Sequence, residues 1–127
     1  MMTYRVFIAA HSAIYALFAL GLYFLPDQLW PLYGVEINDQ YGRFLSQHTS
    51  IFLGGVAIIG WTLKQIEEVS VQRSVLAARA WTNLLGEVIT LRACFEGIFV
   101  GFGWSDPLFF SVLTAVSVWQ MKRVAKA

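Results

Sequence analysis

Polar and ionisable residues recur at regular intervals inside one long apolar stretch of the sequence. Arg79, Asn83 and Glu87 follow an i, i+4, i+8 spacing. Arg92 and Glu96 are also four residues apart. On an α-helix each set lies along one face, and the step from Glu87 to Arg92 turns by about 140°. Because a charge in a low-dielectric environment is costly unless it is paired or hydrated, these residues could hold a proton, an anion or a ligand headgroup.

The composition indicates that this environment is a lipid bilayer. Of the 127 residues, 57% are hydrophobic and 13% are charged, and the mean hydropathy is +0.60. A soluble domain of average composition has roughly 25% charged residues. A net charge of +1 with no basic tract excludes a nucleic-acid-binding surface. The high hydrophobicity excludes a disordered chain, and the single cysteine excludes a disulfide scaffold.

Four apolar segments approach the length of about 20 residues that a helix needs to cross the bilayer core. They predict an all-α, integral membrane four-helix bundle that forms a single domain over residues 1–127. The first segment is longer than the apolar region of a signal peptide, so it is predicted to be retained. The predicted spans are 6–25, 41–63, 75–102 and 107–121.

The distribution of basic residues orients these spans. Six basic residues fall on one side of the predicted bundle, whereas the loops on the other side carry four acidic residues and one basic residue. Cytoplasmic loops are enriched in lysine and arginine, so both termini are predicted to be cytoplasmic. The six residues are Arg5, Lys64, Arg73, Lys122, Arg123 and Lys126.

The predicted depths of the polar residues group them into two buried networks. Two interpretations stay open. The networks either fix the register and rotation of the helices, or they form a site for a proton, an anion or a ligand headgroup. The inner network comprises His11, Arg79, Asn83 and Glu87, and the outer network comprises Arg43, Gln47, His48, Arg92 and Glu96.

The sequence predicts no catalytic centre, no metal site and no cofactor. His11 and His48 differ in predicted depth by about 10 Å, which is too far for both to ligate one haem. Two separated histidines and one cysteine do not form a zinc cluster, and Cys94 is expected to be a small buried residue. No nucleophile elbow accompanies any serine.

Glycines indicate a close helix contact near the end of the third span. Gly97 and Gly101 form a small-xxx-small pattern, which lets two helix backbones approach each other. This contact is predicted either within the chain or between two copies in a homodimer.

Three short segments carry a resemblance to known proteins. Phe24-Leu25-Pro26, then Leu32-Tyr33-Gly34-Val35, and a second helix ending in Gly60-Trp61 resemble small bacterial four-helix membrane proteins of unknown function, close to the DoxX-like families. The resemblance covers the first half of the chain best. It implies a multi-pass protein of the bacterial inner membrane and an accessory role beside a redox enzyme.

These observations lead to two functional hypotheses. The first is a non-catalytic accessory or interaction subunit of the inner membrane, whose partner is another membrane protein or a second copy. The alternative is a membrane-embedded binding or transport protein for a small amphipathic ligand, a quinone, a lipid or a proton. An enzyme is the third choice.

Overall fold

The structure, a computed structural model, describes residues 2–126. Most of these residues are helical and none of them lies in a β-strand, which confirms the all-α prediction. Two compact units follow each other along the chain, the first extending to Gln65 and the second beginning at Ile66. The elements are α1 (Tyr4–Phe24), α2 (Pro26–Leu32), α3 (Gln40–Leu63), α4 (Val69–Phe95), a 3-10 turn (Gly101–Trp104) and α5 (Ser105–Val124).

In the first unit, α1 and α3 pack as an antiparallel pair that is tied at both ends. Tyr4 donates its hydroxyl hydrogen to the carbonyl of Leu63 over 3.1 Å. At the opposite end, the Ser46 hydroxyl donates to the carbonyl of Leu22 over 2.8 Å. Buried residues of α1 recur every three or four positions, as expected for one face of a helix. They are Tyr4, Phe7, Ile8, His11, Ser12, Tyr15 and Leu22.

A short helix that the sequence analysis did not predict connects this pair. Pro26 ends α1 as predicted, but it also begins α2, where the missing N–H of proline costs no helical hydrogen bond. The indole Nε1 of Trp30 in α2 donates to the Ser46 hydroxyl over 2.8 Å. Asp39 then caps α3 by accepting a hydrogen bond from the backbone N–H of Gly42.

In the second unit, α4 and α5 form another antiparallel pair. The two helices are in close contact at Gly86, where an added Cβ would lie 2.6 Å from the nearest ring atom of Phe110. One residue further on, the Ser111 hydroxyl donates to the Glu87 carboxylate over 2.7 Å. A small residue at position 86 therefore sets the distance between these helices, and a polar contact fixes their register.

The third predicted span differs most from the structure. Helix α4 occupies Val69–Phe95 rather than 75–102, whereas α1, α3 and α5 correspond closely to the other predicted spans. Gly97 explains the early end, because it adopts a positive φ of 74°. The N–H of Ile98 then bonds to the carbonyl of Ala93, and the N–H of Gly97 to that of Cys94, which is a Schellman motif.

Two helices within residues 2–126 are long and apolar enough to cross a membrane, judged by length and composition. They are α1 and α3. Helix α4 is longer than either of them, but it contains the ionisable residues that the sequence analysis singled out. Two of the four predicted membrane spans thus coincide with helices that meet this criterion of length and composition.

We predict that Gly86→Ala destabilises the protein by about 1–3 kcal/mol, because the new methyl group overlaps the Phe110 ring and α4 must move away from α5. Thermal unfolding in mild detergent measures this change. Gly55→Ala is the matched control, because no atom lies within 4 Å of the Cβ that it adds. In a Phe110→Ala background, the Gly86→Ala substitution should lower the free energy of unfolding by a much smaller amount. An equal loss of stability in both backgrounds would contradict the proposed overlap.

Candidate functional site

Polar side chains make up a large part of the protein interior. Among residues 2–126, nine buried polar or charged side chains stand beside twelve buried hydrophobic ones. Buried polar groups require hydrogen-bond partners, so an interior of this kind requires specific pairing. The nine are His11, Ser12, Ser46, Ser50, Arg79, Asn83, Thr90, Ser117 and Gln120.

His11 lies in the middle of an aromatic row along α1. Its ring stacks on that of Tyr15, with centroids 4.8 Å apart and an interplanar angle of 16°, and it also contacts the ring of Phe7. Only 1% of His11 is exposed. The i, i+4, i+8 spacing of the three residues brings their rings together on one helix face. The predicted burial of His11 is therefore confirmed, and its ring is held between two aromatic neighbours.

Arg79 and Asn83 are the most deeply buried polar residues of α4. Arg79 is 4% exposed and Asn83 is completely buried, as the sequence predicted. The contact of Gly86 with Phe110, together with antiparallel packing, places Arg79 at the level of Ser117 and Gln120 on α5. These two α5 residues are buried as well. This end of the α4–α5 pair is thus a polar interior.

Ser117 and Gln120 were not among the residues predicted for the buried networks. They lie three positions apart on an otherwise apolar helix, a spacing that places two polar residues on one helix face and could have indicated their burial. Serine and glutamine carry no formal charge, so the positions of the charged residues do not indicate them.

Glu87 links α4 to α5. It is half-buried and accepts the hydrogen bond from the Ser111 hydroxyl. The same hydroxyl lies 2.8 Å from the carbonyl of Pro107. Since a hydroxyl has only one hydrogen, the Glu87 carboxylate and the Pro107 carbonyl compete for it whenever the carboxylate is ionised. Glu87 is therefore a positioned acceptor between two helices.

The charged residues predicted for the outer network lie on the protein surface, so the prediction that they are buried was wrong. Arg43 donates to the Asp27 carboxylate over 3.0 Å, and Arg92 donates to that of Glu96 over 2.8 Å. All four side chains are about half or more exposed. Each arginine finds its acid on a neighbouring helix or one turn away, so local pairing satisfies the charges without burial.

The two uncharged members of the outer network also differ from the prediction. His48 is exposed on α3, where its ring lies between those of Phe44 and Phe52. Gln47 is half-buried and donates to the carbonyl of Tyr23 over 3.3 Å. His48 is therefore the one histidine of the described chain that faces outward from the protein.

Gly97 and Gly101 do not form a helix-packing pair. Both follow the end of α4, and both adopt positive φ values, of 74° and 56°. Positive φ is accessible to glycine at little cost because it has no Cβ. The spacing predicted as a packing motif instead reverses the chain between α4 and α5.

Large apolar side chains cover much of the outer surface. On α4, Trp81, Leu85 and Phe95 are 66%, 68% and 75% exposed. Phe44 and Ile58 of α3 are 60% and 66% exposed. Exposed apolar surface of this kind is typical of proteins that contact a membrane or another protein.

Within residues 2–126, no group of three or more histidine, cysteine, aspartate or glutamate side chains is arranged to hold a metal ion. No family model matches the chain, and no curated protein or solved structure matches it either. The arrangement of the side chains is therefore the basis for a functional proposal.

We predict that Ser46→Ala lowers the free energy of unfolding by about 1–3 kcal/mol, because it removes both the acceptor for the Trp30 indole and the donor to the Leu22 carbonyl. Glu96→Gln serves as the comparison, and it should change stability by less than about 1 kcal/mol because its ion pair with Arg92 is exposed. Unfolding of both variants in the same detergent measures the contrast. The reverse order of the two effects would show that the surface pair carries the stability.

Proposed function

We propose that this chain is a non-catalytic, multi-pass protein of the bacterial inner membrane that acts as an accessory or interaction subunit. One observation carries the membrane part of the proposal, which is that buried polar groups occur together with many large exposed apolar side chains. Polar and charged side chains such as Arg79 and Asn83 are buried, while tryptophan, leucine and phenylalanine side chains are exposed. This distribution suits hydrocarbon as the surrounding solvent, because hydrocarbon penalises unpaired polar groups and not apolar surface.

We propose that α4 and α5 cross the membrane together with α1 and α3. The polar residues of α4 lower its average hydropathy, but several of them are buried and do not meet the surroundings. Its exposed residues are largely apolar, and they decide whether a helix is stable in lipid. At a rise of about 1.5 Å per residue, both α4 and α5 are long enough for a core of about 30 Å.

The proposed role as an interaction subunit follows from what the exposed faces offer. In this proposal each long helix crosses the membrane, and the connections between the helices are short. Exposed aromatic and aliphatic side chains on α3 and α4 provide surfaces on which a second membrane protein could pack. The resemblance to DoxX-like proteins makes a redox enzyme one candidate for this partner.

A topology experiment tests the membrane proposal. We expect single cysteines at Asn38 and Val100 to react with a membrane-impermeant maleimide from outside intact spheroplasts, in a background with Cys94→Ala. Single cysteines at Gln65 and Lys126 should react only after the membrane is opened. All four positions are exposed, so a failure to react reports the membrane and not burial in the protein.

The Val100 position is decisive in this experiment. If α4 and α5 do not cross the membrane, the cysteine at Val100 will label together with that at Gln65 instead of with that at Asn38. Labelling of all four positions from outside would contradict a membrane location altogether.

A binding or transport protein is the second candidate, and Glu87 is the observation that favours it. A half-buried carboxylate that is held by Ser111 and competes with a carbonyl for one hydrogen could also bind a proton or a polar ligand group. Glu87→Gln would then leave the protein folded but unable to retain its ligand.

Native mass spectrometry of the protein extracted from its own membranes distinguishes the two candidates. We expect a complex that contains a second polypeptide, as an accessory subunit requires. An added mass in the range of a small organic molecule, lost in Glu87→Gln and retained in Glu96→Gln, would instead support the binding protein. The Glu96 variant is a suitable control because it makes the same chemical change at an exposed ion pair.

A further inference from the structure

A groove runs along the outside of the first unit between α1 and α3. It has a volume of about 320 Å³, which is near the lower end of the range for small-molecule sites. Small side chains on both helices leave this space. The main lining residues are Ser12, Ala13 and Ala16 of α1 and Ala57, Ile58 and Trp61 of α3.

Ser12 is one of two hydroxyl-bearing residues, with Thr62, that line this groove. The residue is 2% exposed, and its hydroxyl has no hydrogen-bond partner within residues 2–126. A serine inside a helix usually donates to the carbonyl four residues earlier, as Ser117 does here. This hydroxyl is enclosed by protein atoms, so the surface that the groove presents to a ligand is apolar.

Two cations lie at the end of the groove where α1 begins and α3 ends. Tyr4 donates to the carbonyl of Leu63, which places the neighbouring residues Arg5 and Lys64 at this same end. The Lys64 ammonium lies 3.0 Å from the ring centroid of Trp61, a residue that lines the groove. Arg5 is exposed, and on the helix it points within about 20° of the direction of Ser12.

We propose that this groove binds one anionic phospholipid. The acyl chain lies against the alanines, and the phosphate lies at the end marked by Arg5 and Lys64. This inference rests on the proposed function, because a bilayer lipid meets the groove only if α1 and α3 cross a membrane.

The chemistry of the groove selects this ligand over a zwitterionic lipid. An apolar groove with small side chains accepts any acyl chain, so the chain alone gives no selectivity. The selectivity comes from the cations, which attract a headgroup with net negative charge and gain little from a headgroup that carries its own cation. Aromatic and basic residues at the same end of a helix pair also match the position of lipid headgroups.

Quenching of Trp61 fluorescence tests the proposal. The full chain is reconstituted into phosphatidylcholine vesicles that contain a small fraction of lipid with brominated acyl chains. The brominated lipid is either phosphatidylglycerol or phosphatidylcholine, at equal mole fraction. The difference between the parent chain and Trp61→Phe isolates the signal of Trp61 from that of the other tryptophans. We expect phosphatidylglycerol to quench Trp61 several-fold more strongly than phosphatidylcholine.

Two pairs of variants make the test specific. Arg5→Gln with Lys64→Gln should reduce the preference for phosphatidylglycerol by about fivefold for each cation removed. Arg73→Gln with Lys122→Gln removes the same charge from exposed positions elsewhere and should leave the preference unchanged. Ala16→Leu fills the groove and should reduce quenching by both lipids. Ala10→Leu adds the same side chain at an exposed position on another face of α1, so it should leave the quenching unchanged.

The outcomes separate this inference from the proposed function. Equal quenching of Trp61 by both brominated lipids would overturn selective binding while leaving the membrane location intact. Quenching of the other tryptophans but not of Trp61 would show that lipid does not enter the groove, and it would also overturn the inference. If no tryptophan is quenched by either lipid, the proposed membrane function itself is wrong.

Discussion

Hydrogen bonding away from water is the constraint on which the rest of this structure depends. A polar group that loses water must find another partner, and the cost of failing to do so is several kcal/mol in hydrocarbon. Helices satisfy this requirement for the backbone. For side chains the requirement is met by specific contacts such as that of Tyr4 with the Leu63 carbonyl and that of Ser46 with the Leu22 carbonyl. These contacts also decide which residues of two helices lie opposite each other.

The two helix pairs are held together by different kinds of contact. In α1 and α3, hydrogen bonds at both ends fix the register, and small residues between the ends leave an open groove. In α4 and α5, a glycine permits close contact with an aromatic ring, and a carboxylate next to it accepts from a serine. The first pair therefore offers space to a ligand, whereas the second pair uses its small residue for packing within the protein.

Charged residues occupy both the surface and the interior of the protein. Arg43 and Arg92 each have a carboxylate within reach, and they stay on the surface. Arg92 also lies in the last turn of α4, where a positive charge interacts favourably with the helix dipole. Arg79 is 4% exposed and lies at the level of the buried residues Ser117 and Gln120. The exposed arginines are thus paired with carboxylates at the surface, whereas Arg79 lies in the polar interior of the α4–α5 pair.

The sequence by itself determined the helical class, the position of three of the four long helices and the burial of His11, Arg79 and Asn83. These features depend on hydrophobic runs and on spacing along one helix, which are local properties of a chain. Only the tertiary structure decided the roles of Gly97 and Arg43. The backbone of Gly97 reverses direction to let α5 return along α4, and Arg43 meets an acid on α2, a helix that lacks a periodic signal because it is so short. Contacts between residues distant in sequence depend on the geometry of chain reversals, which hydrophobic periodicity does not encode.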